Sequence, residues 1–442
     1  MADEDEDYPL HESVFNGDIE KVNKLLETCD ITKKDKHGNT ALHLAVMLGQ
    51  KELIELLVSH NAPVKSKNSE GWSTLAEAIS YGDRDTITLL LQKLKQQSKE
   101  AMDDRRPQLI NALSKMDDFY MELKWDFQSW VPLVSRMLPS DVCRIHKKGA
   151  SLRLDTTLVD FNNMRWERGD ISFLFTGQTS SGARPAHSLT VIDNTLRVYQ
   201  RVRHEECDAE LEDEVNIMMS SDIVSAQMSM KEITFARAQS GWIFRADKKE
   251  VVGKYSADFY CLNGLCIDSH KRREHLTAED LIKNKQLVEN LTKGSTSPSA
   301  SGPEQLPRRS SLPPPAPPAV SWHEYISAPS GAPPLLARPR VMKHNTKTFR
   351  ATVAMSEEFP LTVSMLLSVL EIIAPFKHFA KLRDFVQMKL PPGFPVKIDI
   401  PILPTVSAKI TFQEFEFRPD LPDSLFTIPP HYIEDQYRFP DL

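Results

Sequence analysis

A repeat of 32 to 33 residues in the first part of the chain constrains its fold more than any other feature of the sequence. Three times a leucine is followed seven residues later by a glycine, at Leu10 and Gly17, Leu42 and Gly49, and Leu75 and Gly82. Glycine adopts a positive φ easily, so it can end one short helix before a second helix begins. The spacing predicts stacked helix pairs, each of which buries its apolar face against the next pair.

The middle unit shows the pattern most clearly. Residues 37–45 read HGNTALHLA, and residues 61–64 read NAPV. This unit resembles an ankyrin repeat, in which a histidine at the position of His43 bonds to backbone groups of adjacent turns. We therefore interpret His43 as a structural residue rather than as a metal ligand or catalytic base. The sequence predicts about three ankyrin repeats, with a cap, over residues 8–125.

The cap is needed because the open end of a short stack exposes apolar surface. Apolar residues recur at helical spacing just after the third unit, namely Leu109, Leu113, Met116, Phe119, Tyr120 and Leu123. We therefore predict a capping helix at residues 107–124.

The following sequence has the two-residue period of half-buried strands over residues 126–290 and again over residues 341–442. The clearest signals are two hairpins, with turns at residues 192–195 and 403–405. Residues 204–214 hold seven acidic side chains and are interpreted as a solvated loop. The predicted fold is α+β and multidomain. An N-terminal ankyrin-repeat α-solenoid precedes an antiparallel β-rich domain, a partial barrel or sandwich, with covering helices.

Residues 295–340 contain 12 of the 30 prolines and many serines, so we predict a disordered linker between the two parts of the β-rich domain. Within this stretch, Arg308-Arg309-Ser310-Ser311 resembles the target of a basophilic kinase. Ser310 and Ser311 are therefore candidate phosphorylation sites. Unselected linker composition explains the same residues equally well.

Residues 361–373 form the most apolar helical stretch of the chain, and a basic amphipathic stretch follows Pro375. Such a pair of helices can lie on an anionic membrane surface or meet an apolar client. The candidate contacts are Leu366, Leu367, Ile372, Ile373, Phe376, Phe379, Lys377 and Lys381. The alternative is that both helices cover the β-sheet, because apolar stripes are usually core.

Composition argues against several classes of protein. The 61 acidic and 54 basic side chains give a net charge of −7, which does not favour a general nucleic-acid binder. Five cysteines are too few for a disulfide framework, and residues 1–7 form an acidic, disordered start unlike a secretory signal. The sequence holds no nucleophile elbow, phosphate-binding loop, zinc helix or dinucleotide fingerprint. We therefore expect a non-enzymatic protein without cofactor or metal.

Longer strings in the second half of the chain are more specific than the repeats. Residues 125–130 read WDFQSW, residues 138–141 read LPSD, and residues 385–396 read FVQMKLPPGFPV. With the repeats, these strings are similar to the ankyrin repeat domain-containing protein 13 family, and most to its C-type member.

The resemblance implies a peripheral protein on the cytosolic face of the endoplasmic reticulum membrane and in the cytoplasm. In the family, the region after the repeats is described as a chaperone domain for G-protein-coupled receptors, which regulates their biogenesis, folding and exit. Other members carry C-terminal ubiquitin-interacting motifs. This sequence shows none, so ubiquitin is not an expected partner.

Three functions stay open at this point. The first is the receptor chaperone, with membrane-protein clients and the membrane surface as partners. The second is an ankyrin adaptor in membrane-receptor trafficking, whose repeats bind a peptide. The third is a lipid-binding protein with its ligand inside a partial barrel.

Overall fold

The chain folds into two compact units, each assembled from three stretches of sequence. The structure is a computed structural model. It describes residues 8–129, 138–162, 165–177, 189–202, 208–229, 233–241, 246–293, 308–330, 332–367, 390–403 and 406–439. The repeat unit comprises Met1–Met102, Glu205–Gln227 and Asp268–Asn345. The sheet unit comprises Asp103–His204, Met228–Ile267 and Thr346–Leu442.

The repeat unit begins with three helix pairs. The helices are α1 (Pro9–Phe15), α2 (Ile19–Leu25), α3 (Ala41–Met47), α4 (Lys51–Ser59), α5 (Thr74–Tyr81) and α6 (Arg84–Ser114). The side chains of Asp18, Thr40 and Ser73 cap helices α2, α3 and α5 by accepting backbone N–H bonds. Helices of seven to nine residues are unstable alone, so packing between pairs holds them. The prediction of ankyrin repeats is confirmed.

Glycine is required at the turn between the two helices of a pair. Gly49 has a φ of 69°, and a Cβ placed on it would lie 2.0 Å from the hydroxyl oxygen of Tyr81. Only glycine combines the positive φ with this close approach of the next repeat.

Three later helices complete the repeat unit as described: α7 (Asp208–Ser220), α8 (Ala278–Lys293) and α9 (Trp322–Ser327). Helix α7 lies in the acidic stretch that was predicted to be a solvated loop, and for residues 208–214 that prediction is wrong. Leu211, Val215 and Met219 recur every fourth residue and are buried in the core of the repeat unit. Their apolar stripe makes the acidic stretch a helix, with its charged residues on the other sides.

Only part of the capping helix predicted at residues 107–124 is helical, because residues 107–114 are the end of helix α6 and residues 119–124 lie in a strand. Helix α6 runs without interruption from Arg84 to Ser114, and strand β1 begins at Phe119. Phe119, Met121 and Leu123 are buried in the sheet unit, while Tyr120 between them is only partly buried. This alternation is the two-residue period of a strand. Phe119 and Leu123 are also four residues apart, as on one face of a helix, which is why the sequence favoured a helix here.

One large sheet holds most of the β-structure, and it lies mainly in the sheet unit, although residues 223–227, 268–272 and 342–345 of its strands belong to the repeat unit. The strands are β1 (Phe119–Ser129), β2 (Ser140–Lys148), β3 (Ser151–Asn162), β4 (Arg165–Phe175), β5 (Leu189–Asp193), β6 (Val198–Arg201), β7 (Ile223–Ser229), β8 (Thr234–Arg237), β9 (Gln239–Ser240), β10 (Ala246–Asp247), β11 (Lys249–Val252), β12 (Tyr255–Arg272), β13 (Met342–Ser356), β14 (Phe394–Leu403), β15 (Val406–Phe417) and β16 (Ile433–Glu434).

The order of the strands is β11-β12-β13-β14-β15-β1-β2-β3-β4-β5-β6-β16, with β7 and β8 also paired to β12 and with β9 and β10 paired separately. The pairings with a described register are antiparallel, except that β16 runs parallel to β6. The end strands β11 and β16 are not neighbours in this order, so the described strands form an open sheet. The prediction of an antiparallel β-rich domain is confirmed.

Aromatic side chains fill the core of the sheet unit. The ring of Phe394 stacks on Phe359 at 4.2 Å between centroids and meets Phe412 edge-on at 4.9 Å. The Tyr255 hydroxyl donates a hydrogen bond to the backbone oxygen of Phe415, so the start of β12 lies close to β15 although three steps of the strand order separate them. The sheet therefore curls around this core.

Residues 308–330 and 332–340 belong to the repeat unit and are called the covering segment below. They include helix α9, and Tyr325 within it is fully buried. The prediction of a disordered linker at residues 295–340 is therefore wrong for these residues. Composition suggested disorder, but a few apolar side chains anchor the segment to the repeats.

Candidate protein-interaction surface

Tyr325 is the central anchor of the covering segment on the repeats. Its hydroxyl donates a hydrogen bond to the carboxylate of Asp35 at 2.7 Å and accepts one from the side-chain amide of Asn39 at 2.8 Å. Both partners lie in the turn that precedes helix α3. The first and second repeats thus present a pocket that recognises a phenol by its ring and its hydroxyl together.

Local hydrogen bonds fix the shape of this pocket. One carboxylate oxygen of Asp35 accepts the backbone N–H groups of His37 and Asn39, each at 2.9 Å, and leaves the other oxygen for Tyr325. Asn39 is oriented by Asn68 of the next repeat, whose amide donates to it at 3.1 Å. Burial raises the pKa of Tyr325, and the carboxylate of Asp35 raises it further. The phenol therefore stays protonated and remains a donor.

Aromatic contacts surround the anchor. The rings of His37 and Phe15 lie 4.9 and 5.5 Å from the Tyr325 ring, and Trp322 lies 5.7 Å away within α9. A ring nitrogen of His37 also bonds the backbone oxygen of Tyr325 at 3.0 Å. Aromatic pairs of this kind each add about 0.5–1.5 kcal/mol beyond buried area.

Polar contacts extend the covered surface on both sides of Tyr325. Ser330 donates to the backbone oxygen of Lys36 at 2.9 Å. The guanidinium of Arg338 donates to the backbone oxygen of Tyr81, and Arg340 pairs with Glu70. The covering segment is thus bound across all three repeats.

A buried ion cluster lies in the same unit. Arg272 pairs with Glu77 at 2.8 Å and with Glu274 at 2.6 Å, and all three side chains are almost fully buried. Ser80 bonds both Arg272 and Glu274, and the guanidinium lies 5.0 Å from the ring of Trp72. Burial alone would lower the pKa of Arg272, but the two carboxylates raise it overall. Arg272 thus lies between two carboxylates, and the guanidinium of Arg340 lies 3.8 Å from Glu77 as a second cation.

Two buried histidines connect successive repeats. A ring nitrogen of His43 lies 3.2 Å from the backbone oxygen of Trp72, and its other ring nitrogen accepts the Thr40 N–H. His11 makes the equivalent contact to the backbone oxygen of Asn39 at 3.1 Å. The interpretation of His43 as a residue that bonds adjacent turns agrees with these contacts.

Acidification should destabilise the repeat unit through His43. Burial lowers the pKa of His43 from 6.5 to about 4, and burial also lowers the pKa of His11. Between pH 6.5 and 4 the unfolded chain binds a proton that the folded chain does not, so stability falls as the pH falls through this window. We expect His43 to account for about 2 kcal/mol lost between pH 7.5 and pH 5, measured by urea denaturation of the helical circular dichroism signal.

Two variants give this experiment its contrast. His43→Gln should be less stable at pH 7.5, yet it should lose less on acidification than the natural chain. His60→Gln removes an exposed histidine and should keep the natural pH dependence. An unchanged pH slope in His43→Gln would contradict the assignment.

The sequence-predicted contact residues do not form a described surface. Leu366 is 1% exposed and packs in the core of the sheet unit, with Leu367 partly buried against that core. For Leu366 the alternative interpretation, that the helix covers the sheet, is therefore the right one, because its side chain is buried in the core. Ile372, Ile373, Phe376, Lys377, Phe379 and Lys381 lie outside the described residues. Ser310 and Ser311 are both exposed, in the covering segment.

One group of side chains has donor atoms of the types that bind metals. Asp268, His270 and His344 place one such atom each within 4.8 Å of one another. His344 bonds Asp268 at 2.9 Å, and the two imidazole rings stack at 4.4 Å. These contacts account for the group as a polar cluster between neighbouring strands, and we assign no metal to it.

The three stacked helix pairs define an ankyrin-repeat protein. Residues 10–103 match the family described as "Ankyrin repeats (3 copies)", and residues 153–436 match the family described as "ANKRD13 C-terminal". The chain belongs to the ankyrin repeat domain-containing protein 13 family, as its sequence strings predicted.

Its relatives share most of its length. The chain is 58% identical to human ankyrin repeat domain-containing protein 13C, over 98% of this chain and 79% of that protein. It is also 58% identical to protein 13C-B of Xenopus laevis, over 98% and 83% of the two chains. Identity to mouse protein 13B is 35%, over 92% of this chain and 67% of the relative. No helix among the described residues is long and apolar enough to cross a membrane.

Proposed function

We propose that this protein is a non-enzymatic chaperone for G-protein-coupled receptors and acts at the cytosolic face of the endoplasmic reticulum. It regulates the folding and exit of these clients by binding them. The observation that supports the proposal is that residues 153–436 match the C-terminal region of the family, because this region is described as the receptor-chaperone domain.

The client contact is proposed for the apolar and basic sequence at residues 367–381. Phe376 and Phe379 are separated by three positions, and Lys377 and Lys381 by four, which are spacings that put side chains on common helix faces. Apolar side chains can meet exposed transmembrane segments, and lysines are attracted to anionic headgroups. Leu366, which is buried, is excluded from this contact.

The double variant Phe376→Asp with Phe379→Asp should abolish the client effect. Two carboxylates in place of two apolar rings oppose both burial against a receptor and approach to an anionic membrane. We expect membrane pelleting and receptor retention to fall about tenfold. Both are measured in cells that express a receptor, with glycan maturation as the readout of its exit.

The matched control is Leu196→Asp with Val251→Asp, which makes the same change at exposed apolar positions. It should leave pelleting and retention unchanged. If the Phe376/Phe379 variant is folded by circular dichroism and still pellets and retains receptor normally, the chaperone proposal is wrong.

An ankyrin adaptor in receptor trafficking is the second candidate, and the covered face of the repeats favours it. An adaptor would bind its partner through the pocket that holds Tyr325. In that case the Phe376/Phe379 variant keeps full activity. The same experiment therefore separates the two functions.

A further inference from the structure

The covering segment carries a kinase recognition sequence at its start. Arg308 and Arg309 precede Ser310, Ser311 and the apolar Leu312. Two arginines shortly before a serine suit the carboxylate-lined peptide groove of a basophilic protein kinase, because guanidinium groups pair with carboxylates through two hydrogen bonds. The structure distinguishes the two serines, because hydrogen bonds to helix α6 are present at Ser311.

Ser311 joins the covering segment to the start of helix α6. Its hydroxyl accepts the backbone N–H of Arg84 at 2.9 Å and donates to the carboxylate of Asp83 at 3.3 Å. Burial opposes ionisation of Asp83, but hydrogen bonds from Lys51 and Thr86 lower its pKa overall. The hydroxyl of Ser311 therefore faces a carboxylate anion at neutral pH.

We propose that Ser311 is a phosphorylation site and that its modification releases the covering segment from the repeats. The kinase transfers the γ-phosphoryl group of MgATP. A bond forms between the hydroxyl oxygen of Ser311 and the γ-phosphorus as the bond from that phosphorus to the bridging oxygen breaks. ADP leaves, and the hydroxyl proton passes to the general base of the kinase.

Phosphorylation converts the contact with Asp83 from attraction to repulsion. Phosphoserine has no hydroxyl hydrogen to donate, and it carries a charge of about −1.5 to −2 at neutral pH. Lys51 is already shared by the carboxylates of Asp83 and Asp85. The Arg84 guanidinium is bound to Glu212 and Asn216. The cations nearest to the new charge are therefore already engaged.

The segment is in close contact with the repeats beside Ser311. The backbone N–H of Leu312 donates to the backbone oxygen of Gly82 at 2.8 Å. A Cβ on Gly82 would lie 2.6 Å from the Leu312 side chain, so the two chains are in close contact. Repulsion at Ser311 is relieved by separation of the segment from the repeats rather than by a small displacement.

The bound state also hides part of the recognition sequence. The Arg309 guanidinium pairs with Asp280 at 2.6 Å, and its backbone N–H donates to Asn216 at 3.1 Å. A kinase can engage Arg309 only after these contacts open. Phosphorylation therefore occurs in the released state and keeps the chain there, which is a shift between two populations.

The test uses the purified full chain, a basophilic protein kinase and MgATP. We expect phosphate on Ser311 by mass spectrometry, together with hydrogen exchange at least about tenfold faster in residues 312–330. A phosphatase should reverse both changes. Ser311→Ala should block the incorporation, and the matched control Ser310→Ala should leave it intact. Phosphate on Ser310 alone, or no phosphate, would overturn the site. Phosphate on Ser311 with unchanged exchange would overturn the release.

A second variant tests whether the bound state hides the site. Tyr325→Ala removes the central anchor without touching residues 308–312. It should raise the initial rate of Ser311 phosphorylation by about tenfold. A rate equal to that of the natural chain would show that the kinase reaches Ser311 while the segment is bound, and it would overturn the population-shift mechanism. Neither experiment depends on the identity of a client.

Discussion

Replacing Arg272 with methionine should lower the free energy of unfolding of the repeat unit by about 3–5 kcal/mol. Methionine keeps an unbranched apolar stem but lacks the guanidinium, so the main loss is the positive charge between Glu77 and Glu274. Both carboxylates would remain buried without a cation at 2.6–2.8 Å, and removing one partner of a buried pair leaves an uncompensated charge. The measurement is urea denaturation followed by helical circular dichroism.

The pH dependence of this loss identifies its cause. Buried carboxylates without a cation have raised pKa values, so the folded variant binds protons more readily than its unfolded chain does. The difference from the natural chain should therefore be smaller at pH 5 than at pH 7.5. The control Arg308→Met removes an arginine from the same unit whose side chain is 75% exposed, and the denaturation midpoint should not change measurably. An equal loss at both pH values would indicate a packing defect instead.

Replacing Tyr325 with alanine should detach the covering segment. The change removes a fully buried ring and leaves a cavity, and it deprives Asp35 and Asn39 of a buried partner. Losses of this kind cost about 3–5 kcal/mol for an aromatic residue. We expect limited trypsin digestion after Arg309 and Arg340 to become at least about tenfold faster. Cleavage is measured by mass spectrometry of the fragments.

The controls separate the anchor from general destabilisation. Tyr325→Phe keeps the ring and loses only the hydroxyl, so its effect should be intermediate, at about 1–3 kcal/mol. Tyr437→Ala removes a tyrosine that is 86% exposed and should leave the digestion pattern unchanged. If Tyr325→Ala is cut no faster than the natural chain, the segment is held by its flanking arginines rather than by Tyr325.

The repeats and the hairpins could be predicted because their signals are local. Gly17, Gly49 and Gly82 recur at one period, and each has a positive φ in the structure. The turn predicted at residues 192–195 lies at the junction of β5 and β6, where the Asp193 side chain accepts the Leu196 N–H. In both cases residues close in sequence determine the backbone geometry.

The candidate surface could not be predicted because its contacts join distant parts of the chain. Tyr325 meets Asp35 and Asn39 across more than 280 residues of sequence. The proline and serine content of the surrounding sequence led to the prediction of a disordered linker there. A usable signal was present in Ser321 and Glu324, which form a capping box ahead of the aromatic residues of α9. For helix α7, the signal was the four-residue spacing of Leu211, Val215 and Met219, which is typical of a helix. The acidic composition of the stretch obscured it.

The discontinuity of the repeat unit has a consequence for its synthesis on the ribosome. The first two helix pairs emerge well before the residues that cover them, because Tyr325 is translated 290 residues after Asp35. During this interval the aromatic pocket is open to solvent and to cellular proteins. Folding of the unit is therefore completed late and depends on contacts of high sequence separation, which form slowly. A nascent chain that stalls before residue 325 presents an uncovered pocket to the quality-control machinery.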